Sequence, residues 1–159
     1  NGQRTVEGKF RLMINGSPLN NPDFVKTIED LGGLVVVDEL CTGVRHWWDL
    51  VDESPELDPV EALSRRYLNN FPCPRMYPPE ERFNGALQLV KDYRVEGVVS
   101  EIVRYCVHCA HDQPLLRRRL ERQGVPVLEL SIEYGTSGTG QIRTRVQAFL
   151  EMLEGRQGK

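Results

Sequence analysis

Apolar residues recur along the chain with two different spacings, and the two spacings alternate. Four short runs rich in Val, Ile and Leu are typical of buried strands, because they are too short for core helices. These predicted strands cover residues 9–15, 34–37, 97–103 and 127–132. The segments between them show the helical spacing of apolar residues. The predicted helices cover residues 22–31, 58–68, 80–93, 112–123 and 141–153, with a short one from residue 46.

Proline and small polar residues mark the ends of several predicted helices. Asn21 precedes Pro22, and Asp58 precedes Pro59. This pattern is typical of a helix that begins with an N-cap residue and has proline at its first position. Residues 69–79 contain four prolines, so this segment is predicted to be irregular. The apolar face of the helix from residue 58 is predicted to consist of Val60, Leu63 and Tyr67.

The order of the elements indicates an α/β fold. Strands that alternate with helices predict a parallel sheet with helices on both faces. With its strands in the order 2-1-3-4, this fold is an open, flavodoxin-like four-stranded sheet. Residues 9–154 are predicted to form the single domain, after a linker or disordered start at residues 1–8. Residues 155–159 are predicted to be a fraying tail, and residues 135–140 a flexible polar loop.

The composition argues against several classes of protein. The 159 residues include 40% hydrophobic and 27% charged side chains, which is ordinary for a globular protein. A net charge of −3 gives no reason to expect nucleic acid as a partner, because binding it usually calls for a basic face. No apolar run reaches the roughly 18 residues of a membrane helix, and no secretory signal is visible. We therefore expect a cytoplasmic protein. The absence of an initial Met is compatible with a domain cut from a longer chain, with an expression remnant or with a processed mature chain.

Two of the four cysteines follow predicted strands. Cys41 comes after the second strand and Cys106 after the third, so both lie at the same edge of a parallel sheet. In the 2-1-3-4 order these strands are two spacings, or roughly 10 Å, apart. That separation is too large for a disulfide without rearrangement. Both thiols are expected to be free in a reducing compartment and able to face one cofactor or substrate.

Cys106 also begins a Cys-x-x-Cys motif that has several interpretations. With His108, Cys109 and His111 it offers half of a zinc or iron–sulfur site, but no second pair has this spacing. The same motif occurs in thioredoxin-type redox pairs, although these usually carry Gly-Pro or Pro-His between the thiols. Cys109 is also compatible with a buried apolar role in the following helix. Cys106 is the favoured functional thiol because it lies at a strand end.

Several ordered motifs resemble those of the 2-hydroxyacyl-CoA dehydratase and benzoyl-CoA reductase superfamily. The motifs are DELCTGVR at 38–45, DP with RYL at 58–68, PCP at 72–74, GVV leading to YC at 97–106, and GQIRTRVQAFLE at 140–151. The resemblance covers residues 9–153 and is to the C-terminal portion of a subunit similar to the 2-hydroxyglutaryl-CoA dehydratase D-component. The chain departs from many relatives at residues 107–109, where they have an Asp-Pro type of sequence. That departure leaves the acyl group of the substrate open.

This resemblance implies an iron–sulfur enzyme that dehydrates or reduces a CoA thioester. In such proteins cysteines hold the cluster, here expected to be of the 4Fe-4S type, and a homologous partner subunit is present. An ATP-dependent activator protein supplies electrons of low potential. Cys106 matches the cluster ligand, and Cys41 is the second candidate ligand for the metal cofactor. Glu39, Arg45 and Arg104 lie beside the strand-end thiols and are candidate catalytic residues that would form hydrogen bonds or balance charge at the site.

Two other functions are compatible with the same residues. One is a non-catalytic domain for subunit pairing or electron relay. The other is a thiol redox module that uses Cys106 and Cys109. Under the leading hypothesis the remaining cluster cysteines lie upstream of residue 1, so the isolated fragment is expected to be inactive. Neither nucleic acid nor a membrane is expected as a partner.

Overall fold

Four parallel strands form one sheet in the order β2-β1-β3-β4 in the computed structural model of the chain. The structure describes residues 8–70, 72–133 and 139–157. The strands are β1 (Phe10–Gly16), β2 (Gly33–Glu39), β3 (Gly97–Val103) and β4 (Val127–Ile132). The helices are α1 (Asp23–Asp30), α2 (Val44–Trp47), α3 (Pro59–Leu68), α4 (Glu80–Asp92), α5 (Val107–Arg122) and α6 (Thr139–Gln157). The predicted α/β class, parallel pairing and strand order are confirmed.

Two elements differ from their predicted bounds in ways that affect the carboxyl edge of the sheet. β2 continues past Val37 to Glu39. Asp38 and Glu39 are therefore part of the strand and do not lie in the loop after it. α5 begins at Val107, not at residue 112. Cys106 is therefore the N-cap residue of this helix, and Cys109 lies in its first turn, where the buried interpretation of Cys109 placed it.

The last helix, α6, is longer than predicted at both ends. It begins at Thr139 and continues through Gly155 to Gln157, so it extends into the segment expected to be a tail. The rest of the predicted linker, polar loop and tail lies outside the described residues: 1–7, 135–138 and 158–159. Within the described part of the chain, no helix combines the length and the apolar character needed to span a membrane.

Both faces of the sheet are buried, as expected for parallel strands between helices. On β1, Leu12 and Ile14 lie on one face and Met13 lies on the other, because side chains alternate along a strand. The first face packs against α1 and α6 with Ile28, Val146, Phe149 and Leu150. The second face packs against α4 and α5 with Phe83, Leu89, Leu116 and Leu120. This two-sided packing makes the sheet a firm base for the loops at its carboxyl edge.

Helix α3 is capped as predicted, but its apolar face is exposed. The Asp58 carboxylate accepts a hydrogen bond of 2.9 Å from the Val60 N–H. Val60, Leu63 and Tyr67 are 70%, 45% and 58% exposed, whereas Ala62 is buried. The helical stripe identified in the sequence therefore points away from the core of this domain.

At the end of β1, Gly16 passes very close to β3. Its φ of 128° lies in a region that glycine adopts at little cost. A Cβ at this position would lie 1.8 Å from the Glu101 carbonyl oxygen. The same oxygen accepts a hydrogen bond of 2.9 Å from the Ser17 N–H. Glycine is therefore needed for the β1 loop to close against β3.

Replacing Gly16 with alanine should lower the free energy of unfolding by about 2–4 kcal/mol, because the added methyl overlaps the β3 backbone. Gly124→Ala is the matched control. Gly124 also has a positive φ, of 82°, but nothing lies within 4 Å of an added Cβ. It should cost only about 1 kcal/mol. Urea unfolding followed by circular dichroism measures both variants, and equal losses would contradict the steric explanation.

Candidate functional site

The carboxyl ends of β1, β2 and β3 form one edge of the sheet, and buried polar residues collect beneath it. The buried polar and charged residues are Asn15, Ser17, Glu39, Arg45, Arg82, Ser100, Glu101, Asp112 and Gln113. Charged residues are rarely fully buried unless they are paired. Ligands of open α/β sheets bind at this edge. The concentration of buried charge therefore coincides with the expected site.

Glu39, at the end of β2, is the centre of a buried ionic network. It is 0% exposed, and its carboxylate receives two guanidinium groups. Arg45 approaches Oε1 with its Nε at 3.3 Å, and Arg82 donates from Nη2 to Oε2 at 3.1 Å. Asn15 of β1 donates to Oε2 at 3.3 Å. The network thus joins β1, β2, α2 and α4.

Helix α5 is attached to the same network. Arg82 also donates to the buried Asp112 carboxylate through Nη1. Burial raises the pKa of Asp112, and the charges of Arg82 and Arg45 oppose that rise. The amide of Gln113 accepts a hydrogen bond of 3.3 Å from Asn15. Two arginines and two carboxylates thus balance each other beneath the first turns of α5.

The Arg45 side chain reaches from α2 to the end of β1. It is 3% exposed, and its Nη2 donates to the Gly16 carbonyl oxygen at 3.0 Å. Its Nη1 is buried and has no hydrogen-bond partner among the described residues. Its charge also opposes the rise that burial causes in the pKa of the Cys109 thiol. Arg45 is therefore placed to balance negative charge at the start of α5.

Cys106 is the N-cap residue of α5 and is half-buried. Its side chain accepts no N-cap hydrogen bond within the described residues. The pKa of the Cys106 thiol is nevertheless lowered, mainly because the nearby Cys109 N–H favours the thiolate. Burial opposes that effect, and the side chains of Cys109 and Ser17 and the charge of Arg75 add to it. Cys106 thus forms a thiolate more easily than an ordinary cysteine.

Cys109 lies in the first turn of α5 and has the opposite character. It is 8% exposed, and burial raises its pKa to about 11. The adjacent Cys106 adds to that rise, whereas Ser17 and Arg45 act against it. The Ser17 hydroxyl itself accepts a hydrogen bond of 3.0 Å from the Val103 N–H. The structure therefore brings both thiols of the motif to the end of β1.

The backbone before Cys106 is in an unusual conformation. Tyr105 has a φ of 69°, in the left-handed region, which costs a residue with a Cβ about 1–2 kcal/mol. Such strain is concentrated at functional sites. Tyr105 and Val107 flank Cys106 and are 90% and 73% exposed. The half-buried thiol thus lies between two apolar side chains that face solvent.

The other candidate residues lie further out. Cys41 follows β2 and is exposed, and Cys73 is half-buried, with its Sγ accepting a hydrogen bond of 3.4 Å from the Arg75 N–H. Arg104 is half-exposed and forms an ion pair with Glu133. The structure therefore brings Glu39 and Arg45 together beneath the edge, and it places Arg104 outside their network.

No complete metal site is present in the part of the chain that the structure describes. Among those residues, no three or more Cys, His, Asp or Glu side chains are grouped so that they could hold a metal ion. His108 and His111 therefore do not complete a site with the two thiols of the motif. A cluster bound at Cys106 would need ligands from outside the described residues.

The sequence did not single out the other members of the buried network around Glu39 and Arg45. They are Asn15 and Arg82, which contact Glu39, Asp112, which pairs with Arg82, and Gln113, which pairs with Asn15. One signal was present: Arg82, Ala86 and Leu89 share the i, i+4, i+7 spacing of a buried helical face. A charged residue on an apolar stripe indicates a buried ion pair, because an unpaired charge is rarely buried.

Glu101, on β3, was also missed. It is 0% exposed, and within residues 8–70, 72–133 and 139–157 neither of its carboxyl oxygens has a hydrogen-bond partner. Burial raises the pKa of Glu101 to about 7, and the nearby Ser17 N–H offsets only part of that rise. β3 leads directly into the turn that carries Cys106. The Glu101 carboxyl, which changes charge near neutral pH, therefore lies close to the carboxyl edge of the sheet.

Removing Arg82 should strongly destabilise the protein. Arg82→Met leaves Glu39 and Asp112 as buried carboxylates without this partner, so the free energy of unfolding should fall by about 3–5 kcal/mol. Arg65→Met is the matched control, because Arg65 pairs with Glu61 on the exposed face of α3. That change should cost less than about 1 kcal/mol. Urea unfolding at neutral pH checks both, and a small loss for Arg82→Met would rule out its central role.

Glu101→Gln should stabilise the protein at alkaline pH. Because the folded-state pKa of Glu101 is raised from 4.5 to about 7, the folded protein holds this proton more tightly than the unfolded chain. The contribution of Glu101 to wild-type stability therefore falls as the pH rises from 4.5 to about 7, and it stays at the lower value above pH 7. At pH 8 the variant should be more stable by on the order of 2–3 kcal/mol, with almost no difference at pH 4. The exposed Glu56→Gln is the control, and a pH-independent difference for Glu101→Gln would refute the assignment.

Comparison with known proteins identifies the family. The family described as 2-hydroxyglutaryl-CoA dehydratase, D-component, matches residues 1–153. Over 96% of its length, the chain is 35% identical to the putative dehydratase subunit YjiM of Escherichia coli. Over 92% of its length, it is 25% identical to the beta subunit of (R)-2-hydroxyglutaryl-CoA dehydratase of Acidaminococcus fermentans. It is 23% identical to the beta subunit of lactoyl-CoA dehydratase of Anaerotignum propionicum, again over 92%.

The chain spans 39–40% of the length of these relatives. The match covers all four strands of the sheet and the motif at Cys106, so it includes the whole edge described above. The chain belongs to the 2-hydroxyglutaryl-CoA dehydratase D-component family.

Proposed function

We propose that this chain is part of a subunit of an iron–sulfur enzyme that dehydrates a 2-hydroxyacyl-CoA thioester. The observation that carries the proposal is the family match over residues 1–153. Two relatives are named as subunits of dehydratases that act on CoA thioesters. The activity is proposed for the complete protein, because the chain spans only 39–40% of the length of its relatives.

Cys106 is proposed as a cluster ligand. Iron–sulfur clusters, here of the 4Fe-4S type, are held by thiolates, and the lowered pKa of Cys106 favours its thiolate. The donor chemistry of this residue thus fits one position of a cluster. Cys41 is proposed as the second ligand from this chain, because it is exposed at the end of β2, on the same edge. The remaining ligands would come from residues that the structure does not describe.

The buried residues around Cys106 are proposed to orient it and to balance charge. A bound cluster would supply one-electron chemistry at low potential. Glu39 holds Arg45 through their buried ion pair at 3.3 Å, and Arg45 is proposed to offset negative charge at the start of α5. Arg104 is proposed to offset charge from the exposed side of the edge, where it pairs with Glu133.

A homologous partner subunit and an ATP-dependent activator protein are proposed as partners. The names of the relatives, which describe subunits, support the first. The exposed Tyr105 and Val107, at 90% and 73%, would be covered if another protein surface closed over Cys106. The activator follows from the resemblance of the motifs to the superfamily, and both partners are proposed to act in the cytoplasm.

Cys106→Ala should abolish cluster binding, because it removes the thiolate. The complete protein would be reconstituted anaerobically with iron and sulfide, and its iron content and visible absorbance measured. Cys109→Ala is the matched control from the same helical turn. It should retain iron, because Cys109 is 8% exposed and does not face the outside of the edge.

The opposite dependence would count against the proposal. If Cys109→Ala lost iron while Cys106→Ala kept it, the ligand assignment would be wrong. If both variants and the wild type bound no iron under any condition tested, the iron–sulfur proposal itself would fail. Retained iron together with no dehydration of any 2-hydroxyacyl-CoA in the presence of activator would favour a relay or pairing role.

A further inference from the structure

Cys106 and Cys109 occupy the N-cap and third positions of the same helical turn. The side chain of an N-cap residue lies near the N–H groups of the second and third positions, so the Cys106 thiol is a neighbour of Cys109. Both are free cysteines. The side chain of Ser17, at the end of β1, favours the thiolate form of both. The pair is therefore formed by geometry and not only by spacing in the sequence.

The two thiols differ in access. Cys106 is half-buried, whereas Cys109 is 8% exposed and lies against the body of the domain. A reagent from solvent can therefore reach Cys106 but is largely excluded from Cys109. The side chain of Cys109, in turn, has Cys106 as its neighbour. This arrangement suits a reaction in which the Cys106 thiol reacts first with the reagent and the Cys109 thiol then displaces it.

The backbone permits the two sulfur atoms to come into bonding contact. Residues three apart in a helix have Cβ atoms about 5–6 Å apart, and a disulfide needs about 3.5–4.5 Å. The required movement is therefore small. Cys106 has a ψ of 89°, outside the helical region, so its dihedral angles can adjust while its carbonyl oxygen keeps the hydrogen bond of 3.0 Å from the Ala110 N–H.

We infer that Cys106 and Cys109 form a reversible disulfide when Cys106 holds no metal, with a low-molecular-weight disulfide such as oxidised glutathione as the oxidant. The sulfur of Cys106 attacks the oxidant, whose S–S bond breaks and releases one thiol. The sulfur of Cys109 then attacks the mixed disulfide at Cys106 and releases the second thiol. The two cysteines lose two electrons and two protons, and the oxidant is reduced to two thiols.

This disulfide would protect the ligand thiol. A thiol exposed to oxidants can proceed to sulfinic and sulfonic acids, which are not recovered by thiols. A disulfide stops before that stage and is reversed by reduced glutathione or a dithiol reductant. Cys109 thus gives the metal-free protein a way to keep Cys106 usable, a function separate from cluster binding.

The test uses the complete protein prepared without iron. It would be equilibrated anaerobically with mixtures of reduced and oxidised glutathione, quenched with acid, alkylated and digested with trypsin. The tryptic peptide of residues 105–117 contains Cys106 and Cys109 and no other cysteine. It should lose both alkylation sites and 2 mass units at roughly tenfold less oxidised glutathione than is needed to modify Cys41.

Cys109→Ala gives the decisive comparison. In that variant Cys106 should accumulate as a stable glutathione adduct, because no second thiol can displace it. Cys73, in a separate tryptic peptide, is the internal control and should stay alkylated at the ratios that oxidise the pair. Absence of the intramolecular disulfide at every ratio, or pairing of Cys106 with Cys41, would overturn the inference.

The outcome is independent of the proposed iron ligand. If Cys106 bound iron but formed no disulfide with Cys109, only this inference would be overturned. If Cys106 formed the disulfide but never bound iron, only its proposed role as a ligand would be overturned.

Discussion

The carboxylate of Glu39 is the point on which the carboxyl edge of the sheet depends. It is 0% exposed and is balanced by two guanidinium groups, from Arg45 and Arg82. A charge with no access to water is stable only while its partners stay in place. Glu39 therefore fixes the loop after β2 and the start of α4 relative to the sheet. Through Arg82 and Asp112 it also fixes α5.

Because the buried ion pairs hold α5 in place, they also determine where the thiols of Cys106 and Cys109 lie. Cys106 and Cys109 are carried by the first turn of α5, and Asp112 anchors the next turn to Arg82. Arg45 links the same network to the end of β1. The position of the Cys106 thiol thus depends on ion pairs between other residues.

Much of the fold could be predicted from the sequence because parallel strands and amphipathic helices leave strong periodic signals. β3 and β4 have the predicted bounds. The start of α5 was missed because the residues from Cys106 to His111 have no apolar period. It is stabilised by burial of Cys109, a tertiary effect.

The candidate site could be predicted only in part. Strand-end position was enough to draw attention to Glu39, Arg45 and Cys106, because parallel topology determines which loops share an edge. Arg82 was missed because charged residues on amphipathic helices usually face water. Its burial requires two carboxylates from distant segments. The local spacing on α4 can indicate that Arg82 is buried, but it does not identify the two carboxylates that pair with it.

Helix α3 carries its apolar stripe on the outside of the domain, and this placement affects its stability. Val60, Leu63 and Tyr67 are 70%, 45% and 58% exposed, so α3 gains little of the packing energy that stabilises most helices in proteins. Its backbone hydrogen bonds should open at a low free-energy cost, and its amides should exchange with deuterium long before those of β1 and β3. Within the described residues, α3 is held in place mainly by its Asp58 cap and by the Arg66 side chain, which donates to the carbonyl oxygens of His46 and Asp49.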